Sequence, residues 1–119
     1  MEPATLAVDV TENVVALIYE DHVFRLRRPI QIHAYRDGDL HIREYKPLGI
    51  SAYGFTEAEA LHAFAEEFSS CWHWIAEEKD SKLGPDAQEL KSKLLDLVET
   101  VQPANEFISR RENKKRAVQ

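Results

Sequence analysis

Between Val23 and Gly54, apolar and polar residues alternate with a period of two. Phe24 and Leu26 alternate with Arg25 and Arg27, and Ile30, Ile32 and Ala34 with Gln31, His33 and Tyr35. Leu40 and Ile42 alternate with His41 and Arg43, and Ile50, Ala52 and Gly54 with Ser51 and Tyr53. This period marks strands with one buried face. After Thr56 the period becomes helical. Leu61, Phe64, Ala65, Phe68, Trp72 and Ile75 form one stripe over about Glu57 to Glu78, which can cover a sheet. Ala87, Leu90, Leu94, Leu97, Val98 and Val101 form a second stripe, with Pro85 in its first turn and Pro103 at its end. The pattern predicts an α+β domain: a three- or four-stranded, antiparallel-rich sheet covered by one long helix, plus a second C-terminal helix.

Four segments follow from this reading: a poorly patterned stretch 1–22, a β-β-β-α domain 23–83, a second helix 84–102 and a basic tail 103–119 expected to be disordered. Within the first, Val14 to Tyr19 is a short apolar run that fits either a buried strand or a helical turn. Pro29 lacks a backbone donor, so its segment is an edge strand or is broken there. For the hairpin around Arg36-Asp37-Gly38, a three-residue loop keeps the faces consistent by pairing Ile32 with Ile42 and Ala34 with Leu40. It also places His33 opposite His41 and Gln31 opposite Arg43, with Tyr35, Tyr45 and Tyr53 towards the same outer face.

The stretch Gly49 to Ala60, GISAYGFTEAEA, switches abruptly from strand to helix. Thr56 offers an oxygen to the free amides of the new helix, and Glu59 can bond back to the Thr56 amide, completing a capping box. Burying each aromatic or leucine side chain of the first helical stripe contributes about 1.5–3 kcal/mol, which makes it the main expected source of core stability.

Charge changes the picture. The net charge is −6, unevenly spread. Residues 1–21 carry five acids and no Lys or Arg; residues 22–55 carry six bases and three acids. Residues 56–101 carry eleven acids and four bases, and residues 102–119 five bases and two acids. An acidic helical layer over a mildly basic sheet disfavours general nucleic-acid affinity and attracts a basic partner. The single cysteine, Cys71, excludes an intramolecular disulfide and a cysteine-rich zinc site. No apolar run approaches the roughly 18 residues of a membrane span, and no signal segment is visible, so a cytoplasmic location is expected.

The segment from about Ile30 to Glu78 resembles the HicB-like antitoxin domain. The features that carry the resemblance are IQIHAY, RDG, DLHIREY, KPLG, ISAYG and FTEAEA, in that order. The family is a small β-β-β-α unit, often described as a partial RNase H fold. The resemblance implies binding to a small RNase toxin, without nuclease residues of its own. Two departures stand out. The family's usual Pro-Asp-Leu-Pro-Gly-Cys loop is here Lys46-Pro47-Leu48-Gly49-Ile50, and residues 84–119 fit neither of the DNA-binding modules that often follow. Autorepression is therefore in doubt.

The candidate sites are few. Glu66, Glu67, Ser70, Trp74 and Glu77 on the first helix are the expected contacts for a basic, toxin-like partner, with Trp74 pointing away from the apolar stripe. The second helix can equally cover Trp74; its own stripe must pack on Trp74, on the sheet or on another copy of the chain, which leaves a homodimer open. An alternative is a nucleic-acid face of Arg25, Arg27, His33, Tyr35, His41, Arg43 and Tyr53, which would combine charge with base stacking. His33 and His41 alone lack the further ligands a zinc site needs. His62, Glu66 and His73 are too far apart along a helix to share one metal. Cys71 has no identifiable base or orienting group beside it. No catalytic, cofactor or metal site is read from the chain, and it is expected not to be an enzyme.

Overall fold

The computed structural model describes residues 10–103. The fold is α+β, an antiparallel sheet with both helices on one face. Strand β1 (Val10–Tyr19), β2 (His22–Asp37), β3 (Leu40–Tyr45) and β4 (Ile50–Gly54) form a meander. Helix α1 (Glu57–Cys71) continues through a π turn, Trp72–Ala76. Helix α2 (Pro85–Leu97) leads directly into β5 (Val98–Pro103), which pairs with the first part of β2.

β1 decides the strand-or-turn alternative for VVALIY in favour of a strand and joins residues 10–19 to the sheet. The run VVALIY lies in a ten-residue edge strand, paired along β2 from Val10 opposite Ala34 to Tyr19 opposite His22. β5 corrects the second helix. Val98 and Val101 leave the helical stripe and sit opposite Leu26 and Phe24. β-Branched Val98, Thr100 and Val101 suit a strand better than a helix end. The outer edge of β2 also offers unpaired backbone groups there. The second stripe is thereby resolved: Leu94 and Leu97 are buried in the chain's own core beside Phe24, Leu26 and Phe68. The tail expected after Pro103 lies outside the described residues, as do residues 1–9.

β2 is one strand with two sets of neighbours. Its first half lies between β1 and β5, and its second half between β1 and β3. Arg27, Arg28 and Pro29 pair with none of them, which is where the missing proline donor interrupts the ladder. Opposite this gap the β1 register slips, and Val15 is left unpaired.

The β2–β3 hairpin also differs from expectation. Asp37 faces Leu40, so the loop has two residues, Gly38 and Asp39. Gly38 has φ 62°, the left-handed conformation a two-residue loop with glycine first requires. The register places Ala34 opposite Arg43 and His33 opposite Glu44. Every β3 side chain is therefore on the other face from the one predicted. Ile42 joins Tyr35 and Tyr53 on the open face, whereas Arg43 joins Ala34 and Ala52 beneath α1.

The strand-to-helix junction behaves largely as read. Thr56 Oγ1 accepts from the Glu59 amide at 3.1 Å. The Glu59 carboxylate reaches one residue further back than a capping box requires, accepting from the Phe55 amide at 2.8 Å. Gly54 is where the strand passes under the helix. A Cβ there would lie 2.5 Å from Glu59 Cβ and 2.7 Å from the Ala60 nitrogen, so only glycine fits without a shift. Phe64 and Phe68 are fully buried, and Trp72 and Ile75 pack against the same core. Leu61 is the exception in the stripe; it remains largely exposed beside β1.

Candidate protein-interaction face

The open edge of β1 and the first half of α1 bound a groove of about 580 Å³. Val14, Leu17, Ala58, Leu61 and Ala65 line it, with Asn13 and His62 as its polar members. Among the described residues, β1 pairs with β2 alone, so its outer backbone groups face away from the sheet. Val15 and Ile18 are 62% and 55% exposed, and Leu61 is 42% exposed. An apolar line thus runs along the edge. It was not foreseen as a site, although an uncharged VVALIY run without Lys or Pro was its signal.

The surroundings are acidic. Residues 10–24 and 57–78 contain nine acids and no Lys or Arg. Glu66, Glu67, Ser70, Trp74 and Glu77 are all exposed, as the periodicity required. They follow the solvent arc of α1 and its π turn. Tyr19 Oη donates to Glu66 Oε2 at 3.2 Å, and the Tyr19 ring packs on His62 at 5.4 Å. Desolvation moves the Tyr19 pKa upward, and the hydrogen bond to Glu66 and the charges of Glu20 and Glu66 add to it by favouring the protonated phenol. Trp74 is 68% exposed, with its ring edge-on to His73 at 4.8 Å; α2 leaves it uncovered. His73 Nδ1 lies 3.3 Å from Glu77 Oε1.

The alternative set of basic and aromatic residues does not form one surface. His33, Tyr35 and Tyr53 are on the open face, but His41 and Arg43 are on the helix-covered side. Arg25 and Arg27 are exposed further along β2. The opposed His33–His41 pair is replaced by separate contacts. His33 stacks on Tyr35 at 4.9 Å and lies 4.0 Å from Glu44, and Tyr35 Oη donates to Glu44 at 3.2 Å. Tyr45, expected on the outer face, packs against the core.

Arg43 is committed to structure. Its side chain is 5% exposed, and Nε and Nη2 donate to the two Glu12 oxygens at 2.9 and 3.3 Å. Glu57, at the start of α1, lies 3.6 Å away. This planar, two-pronged pairing ties β1, β3 and α1 together. Cys71 is half-buried, and burial followed by the nearby Glu67 charge pushes its thiol pKa up, against nucleophilic use. Among the described residues no three His, Cys, Asp or Glu side chains come together to hold a metal, and no helix is long and apolar enough to cross a membrane.

These features define an α+β domain whose β1–α1 side is apolar in the middle and acidic around it. No family model matches the chain, and no curated protein or solved structure is significantly similar to it.

Proposed function

We propose that this chain is a non-catalytic protein-interaction module of the HicB-like kind, acting in the cytoplasm, that neutralises or scaffolds a small basic protein such as an RNase toxin. The observation that carries this reading is the set of exposed carboxylates on α1, an element without Lys or Arg, around exposed apolar residues of α1 and β1. Complementary charge speeds encounter and selects against acidic partners, while a buried aromatic anchor supplies affinity. Glu66, Glu67, Ser70 and Glu77 present that charge, and Trp74 is the anchor. The order of a hairpin, a short third strand and a Thr-capped helix supports the HicB-like assignment.

The test is a nuclease-treated pull-down from the native host, followed by binding measurements on the purified pair. A stoichiometric basic protein should bind, and any ribonuclease activity it has should fall when this chain is added. Glu66→Lys with Glu67→Lys should weaken the pair at least about tenfold, because two favourable charges become repulsive. Recovery of nucleic acid alone, abolished by Arg25→Ala with Tyr53→Ala, would instead favour a nucleic-acid-binding function.

A further inference from the structure

We propose that the partner docks by adding an extended strand to the outer edge of β1, with apolar side chains entering the β1–α1 groove and Lys or Arg residues flanking them. This rests on the protein-interaction reading above and names its contact surface. A strand added to a sheet edge gains main-chain hydrogen bonds, and every second side chain can enter a neighbouring pocket.

Three observations point to this edge. Natural edge strands are kept short, or are blunted by Lys, Pro, bulges or inward-pointing charges. β1 is ten residues long and has no Lys or Pro; its bulge at Val15 and its inward Glu12 confine the regular edge to Ala16–Tyr19. Its exposed Val15 and Ile18 lie beside an apolar groove rather than a polar surface. The groove also has side-chain volume to fill, about 580 Å³, between the strand and Leu61 and Ala65 of α1.

Charge identifies the occupant. Glu20 and Asp21 form the turn at one end of the strand, and Glu66 stands beside it on α1, whereas Glu12 and Glu57 are engaged by Arg43. In the β1 register, Arg25 lies opposite Ala16, on the face away from α1 that Ile18 shares. A second copy would bring another acidic Glu20–Asp21 turn and no Lys or Arg from its own β1, so it supplies no complementary charge. A heterologous segment with apolar residues at alternate positions and basic flanks satisfies both the groove and its rim.

The experiment uses the full chain and fluorescein-labelled synthetic peptides of alternating Val and Thr, flanked by Lys, Ser or Glu. Lys-flanked peptide should bind, and replacement of Lys by Glu should weaken binding at least about tenfold. Ile18→Lys and, separately, Val15→Lys should weaken it by a similar factor while leaving the circular dichroism spectrum unchanged, since both side chains are exposed. Amide exchange in residues 10–19 should slow on binding. Equal binding to wild type and both variants would overturn the proposal. If the captured basic partner binds wild type and Ile18→Lys equally, the edge is not its site, and the acidic-face reading stands without it. A concentration-dependent dimer dissolved by Ile18→Lys would assign the edge to a second copy and also overturn the proposal.

Discussion

Arg43 shows how one residue's setting decides its use. Beside His41 and Tyr45 in the sequence it resembles a surface base, yet it lies under α1 with both prongs on Glu12. Removing one member of a buried pair leaves the other desolvated and uncompensated. Glu12 is 36% exposed and Glu57 remains nearby, so the cost is moderated by water and by that second acid. Glu12→Gln should lower stability by about 1–3 kcal/mol, read from urea unfolding, whereas Gln31→Ala on the exposed face should change it little. Cys71 yields a second expectation at this scale. Its raised pKa means that the folded state favours the neutral thiol. Iodoacetamide labelling of the folded chain should therefore reach half its maximal rate at a higher pH than in urea. The corresponding stability is fully present below the unfolded thiol's pKa and is lost as pH rises through the folded value.

At the scale of elements, the β4–α1 junction concentrates the local constraints. Thr56→Ala removes a cap bond and should cost about 1 kcal/mol. Gly54→Ala should cost more, about 1–3 kcal/mol, because the added carbon meets backbone as well as the Glu59 side chain. Thermal unfolding of the two variants would rank them; equal small losses would mean that the helix can lift off the strand. The junction's glycine, threonine and glutamate were legible in sequence because their roles are local. The β3 face was not. Both Leu40-x-Ile42 and His41-x-Arg43 alternate correctly, and only the two-residue loop decides which pair turns inward.

For the molecule as a whole, acid and base are sorted by element. β1 and α1 carry acids and no Lys or Arg, β2 carries four Arg and one acid, and α2 mixes two Lys with three acids. Screening shortens the reach of such a field to about 8 Å at physiological ionic strength. Association with a basic partner should thus slow at least about tenfold between roughly 20 and 300 mM salt, while dissociation changes less. Stopped-flow mixing measures both rates; a salt-independent association rate would remove charge from the recognition mechanism.

The sequence by itself determined the α+β class, the covering helix with its Phe64–Phe68 stripe, the Thr56 cap and the position of Trp74 off that stripe. Each follows from periodicity or from a bond between near neighbours. Tertiary structure alone decided that Val98–Val101 leave the helix to pair with β2, that VVALIY forms an open edge, and that Arg43 faces inward. Those outcomes depend on which strand edges are vacant and on a one-residue choice of register. A period of two cannot encode either, since shifting a strand by one residue leaves its alternation intact while exchanging its two faces.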